Sequence, residues 1–249
     1  MTEAFTRMAA TVSSAVESRL FSEYGAIFLT RAVPPPKIIF RDSSEVASFQ
    51  SSLALGSAML GDHFIELQQE AMSALLRAAA YINEANGAIT ARAEDAGRRS
   101  YDDTVRLWTR NVTRGLEHWQ EEGRITSGRA QEIIALAPAD QVSVILALED
   151  EEQLYFGTFF DKSILYSVAA PGASQHLALL AFDVAEFEDS EVERALARFG
   201  WHRTVASDFP HFTYLGHEEE ALPRLGLKKI ARPYKERDYF FWVPELDGF

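Results

Sequence analysis

Apolar residues recur at near-helical spacing over residues 3–22 (Phe5, Met8, Val12, Val16, Leu20), which predicts an opening amphipathic helix. "GAIFLTRAVPPPKIIF" then reads as a strand, a stop at Pro34 to Pro36 and a second strand, since proline fits neither a central strand nor a helix interior. "SSEVASFQSSL" predicts a short helix with Ser43 or Ser44 as N-cap. From Asp62 to Ala85 the apolar positions Phe64, Leu67, Ala71, Leu75, Ala78 and Ile82 again predict a helix, broken at Asn86-Gly87 and followed by a short strand and an exposed turn. A helix is expected from Tyr101 to Glu121 and another from about Ser127, and "VSVILALED" reads as more helix with a strand still open. Beyond Ser163 the pattern turns strand-like in "SILYSVAA", "LALLAFDV", "RTVASD", "HFTYLG" and "DYFFWVPEL". One helix, "DSEVERALARFG", interrupts them and ends at Gly200, a C-cap residue. The fold class predicted is α+β, helical in its first part and with an antiparallel sheet in its second.

Composition narrows the possible partners. The chain has 249 residues, 47% of them apolar, which suffices for a substantial core. Its formal net charge is −13 and no long basic run occurs, against nucleic acid or an anionic membrane surface as the main partner. Without cysteine there can be no disulfide, thiolate zinc ligand or thiol nucleophile. No apolar run reaches the 18 residues a membrane span needs, and the first residues match a signal peptide poorly.

Chemistry concentrates in "APGASQHLALLAFDV" (170–184), where Ser174, His176 and Asp183 stand in apolar company. Buried polar groups must be paired or must coordinate something. Two imidazoles and one carboxylate make a three-ligand zinc site, and with "SDFPHF" the candidate groups are His176, Asp183, Asp208 and His211. His176 and Asp183 would lie about 23 Å apart on a continuous strand at ~3.3 Å per residue. On a helix the separation would be about 10 Å. A shared ion therefore requires a fold-back, expected as a hairpin turning near Leu177 to Leu179. Asp208 and His211 can converge from a tight turn around Pro210. Ser174, His176 and Asp183 also imitate a nucleophilic triad, but no G-x-S-x-G elbow surrounds the serine. His63, His118, His202 and His217 lack matched partners and read as surface or helix positions.

These segments resemble the zinc peptidases that include D-alanyl-D-alanine carboxypeptidases, D-Ala-D-Ala dipeptidases and phage L-alanyl-D-glutamate endopeptidases. The pattern S-x-H-x-x-G-x-A-x-D is met by Ser174, His176, Ala181 and Asp183, with Leu179 in place of glycine. The pattern D-x-P-H-F is met by Asp208, Pro210, His211 and Phe212. Upstream, "AGRRSYDDT" places Gly97, Arg99, Ser100 and Tyr101 in register with S-G-Y-R-S-x-x-x-Q, while Arg98 replaces tyrosine and Thr104 glutamine. The likeness runs from about Asp62 to Gly216 and implies a hedgehog-type peptidase fold. It further implies an N-terminal extension (1–61), a peptidase domain (62–249, motifs at 97–216) and a helical insertion at about 110–160.

By resemblance, His176, Asp183 and His211 hold Zn2+, Asp208 is the general base and Arg99 polarises the scissile carbonyl. Ser174, Ser100 and Tyr101 would contact substrate. The function implied is hydrolysis of D-amino-acid-containing cell-wall peptides, with a peptidoglycan stem peptide or muropeptide as substrate. A carboxypeptidase is the first expectation, and the aspartate form of the second motif keeps the endopeptidase branch beside it. An inactive zinc-binding recognition module and a purely structural domain are the readings of a different class. A wall-lytic role implies export to the periplasm or outside the cell; an intracellular muropeptide would instead place the chain in the cytoplasm.

Overall fold

The structure is a computed structural model and describes residues 3–12 and 14–245. Ser13, within the first predicted helix, and Leu246, at the end of the last predicted strand, lie outside the described residues. The element order is α1 (Glu3–Thr11), α2 (Ala15–Tyr24), α3 (Ser43–Ser51), β1 (Leu55–Leu60), β2 (His63–Gln68), α4 (Gln69–Asn83), α5 (Tyr101–Glu121), α6 (Ser127–Ile134) and α7 (Pro138–Glu152). There follow β3 (Ala181–Asp183), α8 (Ser190–Arg198), β4 (Trp201–His202), β5 (His211–Tyr214), β6 (Leu227–Tyr234) and β7 (Arg237–Pro244). The fold is α+β, with small antiparallel sheets in the orders β1-β2, β3-β5-β4 and β6-β7.

The chain divides into two compact units: residues 1–38, 47–99 and 175–249 form the first, residues 39–46 and 100–174 the second. In the first unit, one apolar cluster joins α4 (Ala74, Leu75, Ala78, Ile82) to α8 (Val192, Leu196) and to Phe182, Trp201 and Phe212 of the central sheet. Residues 1–38 belong to this unit, and Phe5, Phe21 and Phe28 lie in the same cluster. The second unit holds α5, α6 and α7, and thus the stretch 110–160. There the buried Trp108 donates its indole N–H to Gln141 (2.8 Å), whose amide donates to the carbonyl of Ile133 (3.0 Å).

Several expectations change. The helix predicted from Asp62 begins only at Gln69, because His63–Gln68 pairs with β1 in register Leu55↔Gln68 to Leu60↔His63. Burial there follows a strand's period of two: Ile65 and Leu67 are buried while Phe64 is 59% exposed. The strand predicted in "GAIFL" is a 3-10 helix, Gly25–Leu29, and "SILYSVAA" contains another, Ile164–Tyr166. "RTVASD" is irregular, and the short strand after Asn86 reduces to a bridge between Ala91 and Val184. Asp42, not a serine, caps α3 by accepting the N–H of Glu45 (2.9 Å). Strand β6 was not predicted; it pairs with β7 along its whole length, Leu227↔Pro244 to Tyr234↔Arg237. The helices at Tyr101–Glu121, Ser127–Ile134 and Ser190–Arg198 stand where expected, the last followed by Gly200 at φ 82°.

Candidate metal centre

The cluster is assembled by strand pairing and one compact turn. Strands β3 and β5 are antiparallel with Asp183 directly opposite His211, which brings a carboxylate and an imidazole face to face. His176 arrives from a 3-10 turn, Gln175–Ala178, rather than from a strand, which corrects the predicted hairpin. The reversal is completed by Leu179, which takes φ 54° itself. Carbonyls of this turn are anchored from elsewhere in the first unit: Leu177 accepts from Gln50 (3.0 Å), Ala178 from the Gln68 side chain (2.8 Å) and Leu179 from the Gln68 backbone (3.0 Å). The fully buried Leu179 side chain adds apolar burial, which offsets a left-handed strain of about 1–2 kcal/mol.

The ligand atoms form a nearly equilateral triangle. His176 Nε2 lies 3.2 Å from His211 Nδ1 and 3.3 Å from Asp183 Oδ1, and the third edge, His211 Nδ1 to Asp183 Oδ1, is 3.2 Å. A tetrahedron with bonds of about 2.0 Å has edges of roughly 3.3 Å, so the triangle matches one face of a zinc coordination shell. The second hydrogen bond of each ring decides where its proton sits. His176 Nδ1 donates to the carbonyl of Gly97 (2.8 Å), which leaves Nε2 as a bare lone pair. His211 Nε2 donates to Gln175 Oε1 (2.9 Å), which leaves Nδ1 bare. The Gln175 amide is itself oriented, its N–H donating to the carbonyl of Tyr24 (3.0 Å) while Oε1 also accepts from Thr213 (2.5 Å). Three acceptor atoms thus face one another with no donor among them. The donor set and its spacing fit a metal ion held by His176, Asp183 and His211.

Compared with protein-family models, curated proteins and solved structures, the chain matched none.

Electrostatics agree with the geometry. Burial, then Arg99, lowers His176 to about 4, so the ring is neutral at pH 7. Burial works to raise Asp183, and His176 and His211, where they carry their protons at low pH, outweigh it and hold the carboxyl well below its ordinary value. Asp183 Oδ2 accepts from Arg99 Nη2 (2.7 Å), so the arginine neutralises the oxygen that faces away from the imidazoles. Arg99 Nε is held by the backbone carbonyl of Asp95 (3.2 Å). Asp208 stands outside the three-atom cluster. Its carboxyl is raised by burial and by Asp183, against the pull of His211 and Arg99. A turn holds it there, with the His211 N–H donating to the Asp208 carbonyl across Phe209 and Pro210 (3.3 Å), as the motif predicted.

Gly97 serves the site twice. It offers its carbonyl to His176, and a Cβ in its place would lie 2.7 Å from Ile65, so only glycine passes β2 this closely. The three residues assigned to substrate belong to the second unit. Ser100 caps α5 there, its hydroxyl bonded to the Asp103 carboxylate (2.6 Å) in a capping box. Tyr101 and Ser174 are buried. His202, read as a surface or helix residue, is buried on β4 and donates to the His217 carbonyl (2.8 Å). Gln50, Gln68, Gln175 and Thr213 were missed as supports. Their one sequence signal was an amide or hydroxyl inside or beside an apolar run, as in "SQHLALL" and "HFTYL".

Proposed function

We propose that the chain is a zinc-dependent peptidase of the hedgehog type that hydrolyses D-amino-acid-containing cell-wall peptides, first as a D-alanyl-D-alanine carboxypeptidase. The observation that carries this reading is the buried triangle of three lone-pair atoms, His176 Nε2, Asp183 Oδ1 and His211 Nδ1, with edges of 3.2–3.3 Å. Motif order along the chain supports it, since the same residues carry the resemblance. These three would hold the ion, which supplies Lewis acidity to a water nucleophile and to the scissile carbonyl.

The chain's own groups account for the remaining steps. Asp208 receives the proton of the attacking water at its carboxylate and returns it to the leaving amine. Burial and the neighbouring Asp183 raise its carboxyl above the ordinary carboxylate value, which makes it a better proton acceptor. Arg99 keeps Asp183 ionised through Oδ2, and its Nη1, without a hydrogen bond among the described residues, is the donor left for the developing oxyanion. Gln175 holds His211 in the tautomer that presents Nδ1.

The test is metal analysis together with digestion of defined muropeptides, read by mass, with and without a chelator. Stoichiometric zinc and chelator-sensitive release of a terminal D-alanine are expected; internal cleavage would move the assignment to the endopeptidase branch. Asp208→Asn should abolish hydrolysis with zinc retained. A wild-type protein that holds zinc yet cleaves nothing would be a recognition module, and one without stoichiometric zinc overturns the reading.

A further inference from the structure

A second polar site lies on the opposite side of the central sheet. Along β5, His211 and Thr213 face one way, and Phe212 and Tyr214 the other. Tyr214 lines a cavity of about 530 Å³ bounded by α4, the end of α8 and the chain after β5. That volume falls in the range of small-molecule sites. Three arginines from separate segments reach it: Arg31, Arg77 and Arg198. In a chain of net charge −13, such a convergence of cations needs a reason.

Two of the three are partnered by rings rather than carboxylates. Arg77 stacks over Phe199 at 5.8 Å and Arg198 over Tyr81 at 4.8 Å, and the two rings meet edge to face at 6.1 Å. A guanidinium laid on a ring face keeps its N–H edge free for bidentate contact with an oxyanion. Among the described residues none of the three arginines has a carboxylate at ion-pair distance. Two acids do line the cavity, but Glu70 accepts from the Tyr214 hydroxyl (3.4 Å) and Glu218 makes no ion pair among the described residues.

The floor is shaped to stay open. Gly200 and Gly216 both have left-handed backbones, φ 82° and 74°, and the Gly216 N–H donates to the Gly200 carbonyl (3.0 Å). A Cβ on Gly200 would strike the Gly216 backbone at 2.6 Å, so no side chain can enter from this floor.

We infer that this cavity is a binding site for a small metabolite bearing an oxyanion, a phosphoryl or carboxylate group gripped by Arg77, Arg198 and Arg31. It is independent of the metal centre and of the peptidase reading.

Inorganic phosphate and citrate are titrated separately into 15N-labelled, metal-free protein at constant ionic strength, which separates site binding from general screening. At least one anion should saturate, with amide shifts centred on Phe199, Gly200 and Gly216. Preference for phosphate assigns a phosphoryl ligand, and preference for citrate a carboxylate. The double variant Arg77→Gln, Arg198→Gln should bind at least tenfold more weakly while its anion-free amide spectrum stays that of a folded protein, whereas His211→Ala should leave the affinity intact. Absence of saturation by either anion, shifts centred elsewhere, or unchanged affinity in the double variant would overturn the proposal. Loss of zinc binding would sink the metal centre and leave this site standing.

Discussion

At the residue scale, the protonation of two imidazole rings decides whether three side chains form a ligand set or a repulsive knot. Gln175 controls one ring, because its Oε1 can only accept and so places the proton of His211 on Nε2. Gln175→Leu removes that acceptor and one partner of the Thr213 hydroxyl, which donates to the same oxygen and keeps the Thr204 hydroxyl (2.7 Å) as its other partner. Loss of a partner of this kind costs ten- to a hundredfold in metal affinity. Competition for zinc against a chelator of known affinity should show that drop. The metal-free melting temperature reports the separate cost of the lost hydrogen bonds, about 1 kcal/mol each. Equal zinc affinity in the variant and the wild type would mean that His211 keeps its tautomer without the glutamine.

At the element scale, the turn Gln175–Ala178 and Leu179 show how a fold-back closes where the resembled pattern has glycine. Glycine at 179 would relieve about 1–2 kcal/mol of left-handed strain. It would also remove a fully buried leucine side chain, a change that costs roughly 2–5 kcal/mol, and it would loosen the unfolded chain further. Leu179→Gly is therefore expected to destabilise the protein by about 2 kcal/mol in denaturant titration; a gain in stability would show that strain dominates. Elements with strong local signals were legible. The helix Tyr101–Glu121 stands at its predicted limits because Ser100 and Asp103 close a capping box at its start. Strand β2 was not legible, since Phe64 and Leu67 fit helical spacing as well as Ile65 and Leu67 fit a strand's. Pairing with β1, a contact outside the segment, settled it.

At the scale of the whole molecule, the centre couples stability to pH. His176 falls from 6.5 to about 4 on folding, so between those values the unfolded chain binds more protons. The contribution of neutral His176 is complete above about pH 6.5 and is lost as the pH falls toward 4, at most about 3 kcal/mol. Asp183 acts in the same direction at lower pH, its stabilisation lost below the ordinary carboxylate range. Asp208 acts in the opposite sense, because its raised pKa favours the protonated folded state and weakens that contribution as the pH rises. Metal-free protein is expected to lose melting temperature from pH 6.5 to 4, and His176→Gln should flatten that slope. At pH 7, added zinc should raise the melting temperature in a concentration-dependent way, and His211→Ala should abolish that rise.

The amino-acid order by itself determined which residue types are available as ligands, their likeness to a known motif set, and the helices whose caps and apolar stripes are local. Those features depend on neighbours a few positions away, and a chain read in order contains them. Only the tertiary structure decided that Asp183 pairs with His211 across two strands and that Leu179 turns left-handed. It also decided which nitrogen of each histidine is bare. Each of those outcomes rests on a partner distant in the chain: Gly97 for His176, Gln68 for the turn, and Tyr24 for the amide of Gln175. Lone-pair direction and backbone strain are set by such distant contacts, because burial makes most donors and acceptors find a partner wherever the fold supplies one.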